Sequence, residues 1–152
     1  MKVLMVCLGN ICRSPLAEGI LKHKAHENNL RIEVDSAGTA AYHVGNLPDE
    51  RSIEVARKYG IDLTNQRARQ FRLQDFEEFD VIYAMDSENY NNILKLASST
   101  SDESKVKLIL NEIEPNSNSS VRDPYYGGDE GFENVYQMLN LACKEIVLRL
   151  KK

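Results

Sequence analysis

The chain has 152 residues and a formal net charge of −4, so it is long enough to bury a core as one domain over residues 1–152 and lacks the basic footprint that holds nucleic acid. Its make-up, 42% hydrophobic and 28% charged, is that of a globular protein, and no apolar run approaches the ~20 residues of a membrane span. Three cysteines, an odd number in a chain whose Met1 leads straight into an apolar run rather than an export signal, point to the cytoplasm; with no second Cys/His pair at metal spacing, no zinc or other cofactor is expected.

Residues 3–6 are continuously apolar, as in a strand buried on both faces. Leu16, Ala17, Ile20, Leu21 and Ala25 fall on one face of a helix. Between the two runs VCLGNICRSP, residues 6–15, a tight loop feeding a helix N-terminus, in which Gly9 and Asn10 tolerate positive φ. Residues 31–34 alternate as an edge strand does. Pro48 suits the first position of the next helix, Asp49 and Glu50 its first turn, and Gly60 its stop. Residues 81–85 form a second continuously apolar strand, and Tyr90, Ile93, Leu94 and Ala97 mark a helix after Asp86. Residues 98–104 and 114–120 are polar and rich in Ser or Asn, and read as loops around a fourth strand at 105–110. The last helix carries Phe132, Val135, Tyr136, Leu139, Cys143, Ile146, Val147 and Leu150 at steps of three or four, which places Cys143 in the core.

Strands separated by helices predict an α/β fold: a three-layer sandwich with a four-stranded parallel sheet of order 2-1-3-4, right-handed crossovers and helices on both faces. The strand order then reverses beside the first strand. Open α/β sheets bind ligands in the crevice at such a switch point, which falls here at Cys7.

The loop that begins at Cys7 has the chemistry of an anion site. Unpaired N–H groups at a helix N-terminus converge on one spot, with the positive end of the helix dipole behind them. The same field, with a nearby cation, favours a cysteine thiolate over the thiol. Five residues separate Cys7 from Arg13, whose guanidinium can hold two phosphate oxygens side by side. Ser14 can hydrogen-bond the sulfur or cap the helix. A phosphate in this cradle sits over the sulfur, and the implied step is attack of sulfur on phosphorus. The Gly-Lys-Ser/Thr ending of a nucleotide-binding loop is missing. A cysteine at a strand end is more often a small apolar core residue, but the strand, loop and helix follow in the order that the chemistry requires.

The stretch VCLGNICRSP resembles the signature of the low-molecular-weight protein tyrosine phosphatases. So do Asp35-Ser36-Ala37-Gly38-Thr39, Arg67-Ala68-Arg69-Gln70, Met85-Asp86 and Asp123-Pro124-Tyr125-Tyr126, in the family's order over nearly the whole chain. The larger tyrosine phosphatases place a His before the Cys, where Val6 stands here. The resemblance implies hydrolysis of protein phosphotyrosine through a phosphocysteine intermediate, with inorganic phosphate as product. Cys7 would be the nucleophile, Arg13 with the loop residues Leu8, Gly9, Asn10, Ile11, Cys12 and Ser14 would bind phosphate, and Asp123 would be general acid and then base. Without the resemblance, Asp123-Pro124 reads simply as a turn. Tyr42 on one side and Tyr125 and Tyr126 on the other would wall the aryl ring, while Asn10, Ser36 and Gln66 would support the loop. Many members carry a His at the position of Gln66, which cannot hold a charge. In relatives that act on phosphoarginine a Thr stands where Ile11 is here. Cys12 would trap an oxidised Cys7 as a disulfide.

The alternatives are an arsenate reductase of the same fold, a phosphoarginine phosphatase, and a non-catalytic phosphoprotein reader. An arsenate reductase needs further relay cysteines, and residues 75–97 contain none. The partners expected are phosphotyrosine proteins, and the chain is expected to be a monomer or weak dimer. His23, His26 and His43 have no motif context. Arg67, Arg69 and Arg72 read as a solvated face that can meet acidic substrate flanks.

Overall fold

A computed structural model of the chain describes residues 1–125 and 128–151. Strand β1 (Lys2–Cys7) is followed by α1 (Arg13–Glu27), β2 (Glu33–Gly38), α2 (Glu50–Lys58), α3 (Asp75–Glu78), β3 (Val81–Ala84), α4 (Ser87–Leu96), α5 (Thr100–Lys105), β4 (Val106–Leu108), a 3-10 turn at Ile109–Glu112 and α6 (Asp129–Leu150). The strands form one parallel sheet of order β2-β1-β3-β4, as the alternation of strands and helices predicts. Among the described residues no helix is long and apolar enough to cross a membrane.

Strand β1 explains the layers. Its side chains alternate between faces, and both faces are buried. Val3, Met5 and Cys7 join Leu16 and Ile20 of α1, and Phe132, Leu139 and Ile146 of α6, in one core. Leu4 and Val6 join Phe76, Phe79, Ile82, Ile93 and Leu108 in the other. A strand buried twice needs a continuous apolar run, and Val3-Leu4-Met5-Val6 is one. The chain leaves β1 towards β2 on one side and returns to β3 on the other, so the sheet edges part beyond Cys7, paired with Gly38.

Several boundaries differ from the sequence reading. Strand β2 runs Glu33–Gly38 rather than over residues 31–34. Its polar Asp35 and Ser36 break the apolar pattern, yet Ser36 is buried because its hydroxyl is hydrogen-bonded on both sides. Pro48 precedes α2 rather than opening it. Asp49 is the N-cap, its side chain accepting from Arg51 N at 2.9 Å, and Gly60 at φ +78° ends the helix as expected. Residues 98–104, read as loop, contain most of α5. There Ser99 Oγ accepts from Asp102 N, while the Asp102 carboxylate accepts from Ser98, a reciprocal cap that the Ser-rich composition concealed. Strand β4 is only three residues long because the chain tightens into the 3-10 turn at Ile109. Helix α3 is too short for periodicity to detect.

Candidate active site

Beyond β1 the backbone from Leu8 to Cys12 folds into a ring. Asn10 supplies a positive φ of 58°, which Asn accepts more readily than most side chains. Gly38 lets β2 approach: a Cβ there would lie 2.7 Å from Leu8 O and 3.1 Å from Asn10 N. The ring's carbonyls are tied outward. Cys7 O accepts from Thr39 N, Leu8 O from Ala40 N, Ile11 O from Asp49 N and Cys12 O from Ser52 Oγ. A trans peptide places N–H opposite C=O, so the amides that follow these tied carbonyls, those of Leu8, Gly9, Cys12 and Arg13, point away from Thr39, Ala40, Asp49 and Ser52. Cys12, the N-cap of α1, makes no side-chain capping bond, and the first turn holds no acidic residue. The helix terminus is therefore left to an anion.

Cys7, Leu8, Gly9, Ile11, Cys12, Arg13, Tyr42, His43, Asp123 and Tyr125 line one cavity. Behind the sulfur runs a buried hydrogen-bonded chain. Ser14 Oγ lies 3.0 Å from Cys7 Sγ. Asn10 Nδ2 donates to Ser14 Oγ at 2.8 Å and to Ser36 Oγ at 2.9 Å, and Ser36 Oγ donates to Glu18 Oε1 at 2.6 Å. Asn10 Oδ1 accepts from Arg69 N at 3.0 Å. With both amide hydrogens of Asn10 and its oxygen engaged, the loop is held at its apex, and the Ser14 hydroxyl hydrogen is left for the sulfur. Burial holds Glu18 above the ordinary carboxylate range, against the lowering effect of Lys22 and Ser36.

Arg13 is 2% exposed. Its Nη1 donates to Asp86 Oδ2 at 2.6 Å and to Val121 O at 2.9 Å. Its Nη2 lies 3.6 Å from Asp123 Oδ2, and its Nε is buried with no hydrogen-bond partner among the described residues. One corner of the guanidinium is thus anchored, while the Nε–Nη2 edge is available to an oxyanion. Burial works against the charge, but Cys7 and the bonded Asp86 hold Arg13 above its ordinary pKa. Asp123 sits on the loop that follows Val121, whose N donates to Met85 O at 2.8 Å. Its Oδ1 accepts from Tyr125 N at 3.0 Å. Tyr42 is 75% exposed at the mouth; His43 lies between the rings of Tyr42 and Tyr125, at centroid distances of 6.4 and 6.2 Å.

The structure brings together Cys7, Arg13, Asp123, Ser14, Asn10 and Ser36, with Ile11, Tyr42 and Tyr125 on the walls; Tyr126 lies outside the described residues. Gln66 does not join the chain behind the sulfur. Its Nε2 donates to Pro15 O at 3.1 Å and supports the first turn of α1 instead. Cys12 is buried, and burial pushes its thiol up, with Asp49 adding to the effect. Cys143 lies in the α6 core, where burial pushes its thiol up to about 12. Arg69 and Arg72 are not a bare basic face, because both pair with the buried Asp75 and Arg69 also with Asp35. Sequence reasoning missed Asp86, Glu18 and His43. The Met85-Asp86 motif was a signal for the first, whereas a lone Glu on an otherwise apolar helix face, or a His in a loop, carries none.

A thiol over which an anion can sit, a fixed guanidinium edge and a carboxyl beside it can displace a phosphate ester and protonate its leaving oxygen. The family profile described as "Low molecular weight phosphotyrosine protein phosphatase" matches residues 2–152. A low molecular weight phosphotyrosine protein phosphatase of Schizosaccharomyces pombe is 45% identical over 141 residues, 91% of this chain and 89% of the relative. Among solved structures, a protein tyrosine phosphatase of Entamoeba histolytica superposes with a TM-score of 0.93 at 37% identity, over 99% of this chain and 97% of its own. A Drosophila arginine phosphatase superposes with a TM-score of 0.93 at 36% identity, over 100% and 99%.

Proposed function

The chain belongs to the low molecular weight phosphotyrosine protein phosphatase family, and from that premise we propose that it hydrolyses protein phosphotyrosine in two steps through a phosphocysteine. Cys7 Sγ attacks phosphorus in line with the aryl oxygen, the S–P bond forms as the P–O bond breaks, and Asp123 gives its proton to the departing oxygen. Water then attacks phosphorus, Asp123 takes its proton, and the thiolate leaves with release of inorganic phosphate. The ring amides and the Nε–Nη2 edge of Arg13 carry the charge of the equatorial oxygens in both transition states. Ser14 donates to the sulfur as it regains charge.

The observation that carries this reading is the convergence of Cys7, Arg13 and Asp123 on one cavity, with the guanidinium 3.6 Å from the carboxylate. The match over residues 2–152 supports one domain, and three free cysteines support the cytoplasm as the place of action. Cys12 lines the same cavity as Cys7, which supports a role for it in trapping an oxidised Cys7 as a disulfide.

The test is substitution. Cys7→Ser should abolish hydrolysis of p-nitrophenyl phosphate while inorganic phosphate still binds by calorimetry, and Asp123→Ala should lower turnover with affinity little changed. Full activity in either variant overturns the assignment. A second reading, a phosphoarginine phosphatase, is favoured by the likeness to the Drosophila arginine phosphatase. Ile11 and the exposed Tyr42 and Tyr125 at the rim favour a flat aryl ring. Comparing phosphotyrosine and phosphoarginine peptides separates the two.

A further inference from the structure

The first turn of α2 stands between the phosphate cradle and the loop that carries Asp123. On one side it holds the cradle: Asp49 N donates to Ile11 O at 2.8 Å and Ser52 Oγ to Cys12 O at 3.3 Å. On the other it reaches the acid loop through Arg51. The Asp49 carboxylate takes Arg51 Nε and Nη2, each at 3.1 Å, and this two-point fork fixes the plane of the guanidinium. So fixed, Arg51 Nη2 donates to Tyr125 O at 3.0 Å. The guanidinium also lies over the rings of Tyr125 and Phe132, at 5.6 and 4.5 Å from their centroids. Tyr125 N in turn donates to Asp123 Oδ1 at 3.0 Å. Residue 125 is therefore gripped at its carbonyl by Arg51 and grips the Asp123 carboxyl with its N–H.

We propose that Arg51 is a positioning residue for proton transfer: by fixing Tyr125 against the first turn of α2, it sets where the Asp123 carboxyl stands relative to the leaving oxygen above Cys7. The inference rests on Asp123 as the proton donor. A residue that merely stabilised α2 would affect every substrate alike. One that aims the acid matters most where the leaving group most needs a proton.

The measurement is kcat/KM, which covers leaving-group departure but not the later hydrolysis of phosphocysteine, for phenyl phosphate and for the better leaving group of p-nitrophenyl phosphate. Asp123→Ala sets the scale and should cost phenyl phosphate much the more. Arg51→Met should cost phenyl phosphate about tenfold, part of the roughly 10²–10⁴ that general acid catalysis supplies, and p-nitrophenyl phosphate less than about twofold. Inhibition by inorganic phosphate should not change, and Arg51→Lys should recover part of the loss. The double variant with Asp123→Ala should be no slower on phenyl phosphate than Asp123→Ala alone. Equal losses on both substrates, weakened phosphate inhibition, or a further loss in the double variant overturns the role of Arg51. If Asp123→Ala spares phenyl phosphate, the acid assignment fails first and the inference with it. Thermal melts confirm folding, and Arg51→Lys carries the same comparison if Arg51→Met does not fold.

Discussion

Ser14 shows how much one hydroxyl can decide. It accepts from Asn10 Nδ2 and so has its own hydrogen to give to Cys7 Sγ, 3.0 Å away. A hydrogen bond to a charged group is worth about 1.5–3 kcal/mol, and the sulfur regains charge as it leaves phosphocysteine, so Ser14→Ala should lower the turnover of p-nitrophenyl phosphate by about tenfold or more; unchanged turnover would remove the donor role. Asn10 is the hub of the same chain, because its amide serves Ser14, Ser36 and Arg69 N together at a positive φ. Removing it strands several buried polar groups. Asn10→Ala should destabilise the fold by about 1–3 kcal/mol, read by urea unfolding, and should lower turnover as well. Arg13 is held on the other side by Asp86 and Val121 O, so its orientation is set before any phosphate arrives.

The elements act through their ends. Strand β1 delivers Cys7, α1 points its N-terminus at the same spot, and α2 ties the ring to the acid loop. Strand β2 contributes the close approach of Gly38, where a methyl group would meet the Leu8 carbonyl and the Asn10 amide. Those atoms are backbone and cannot swing aside. Gly38→Ala should therefore cost about 1–3 kcal/mol in the way overpacking does, and should lower turnover by displacing the ring. A thermal melt and a p-nitrophenyl phosphate assay check both, and wild-type values in both would mean that the ring shifts freely.

Across the whole molecule, α2 and α6 are joined at the surface around Glu133. Its carboxylate accepts from Lys58 Nζ at 2.7 Å, Tyr59 OH at 2.6 Å and Gln137 Nε2 at 2.8 Å, beside the stacked rings of Tyr59 and Tyr136. The Lys58 hydrogen bond, then those of Tyr59 and Gln137, hold its pKa at about 2, below the ordinary 4.5. A depressed carboxyl contributes stability above its unfolded pKa and loses it as pH falls through the folded value. Glu133→Gln should accordingly flatten the fall of Tm between pH 4.5 and about 2. Glu18 has the opposite sign. Raised by burial, its contribution is present below the ordinary carboxylate pKa and fades as pH rises through the folded one. An acid limb unaltered in Glu133→Gln would show that the surface cluster adds nothing.

The order of the sheet, its two buried central strands, the α1 face and the loop from Cys7 to Arg13 were legible in the chain itself, because hydrophobic period and local backbone chemistry act between near neighbours. Gly60 ends α2 for the same local reason. Tertiary structure alone decided which polar groups meet. Glu18 and Ser36 are separated by 18 residues, Arg13 and Asp86 by 73, and Arg51 and Tyr125 by 74, and no local pattern carries a pairing across such distances. The same reason placed His43 on the cavity wall and turned Gln66 to Pro15, since a side chain's partner is fixed by which loops the sheet brings to one edge.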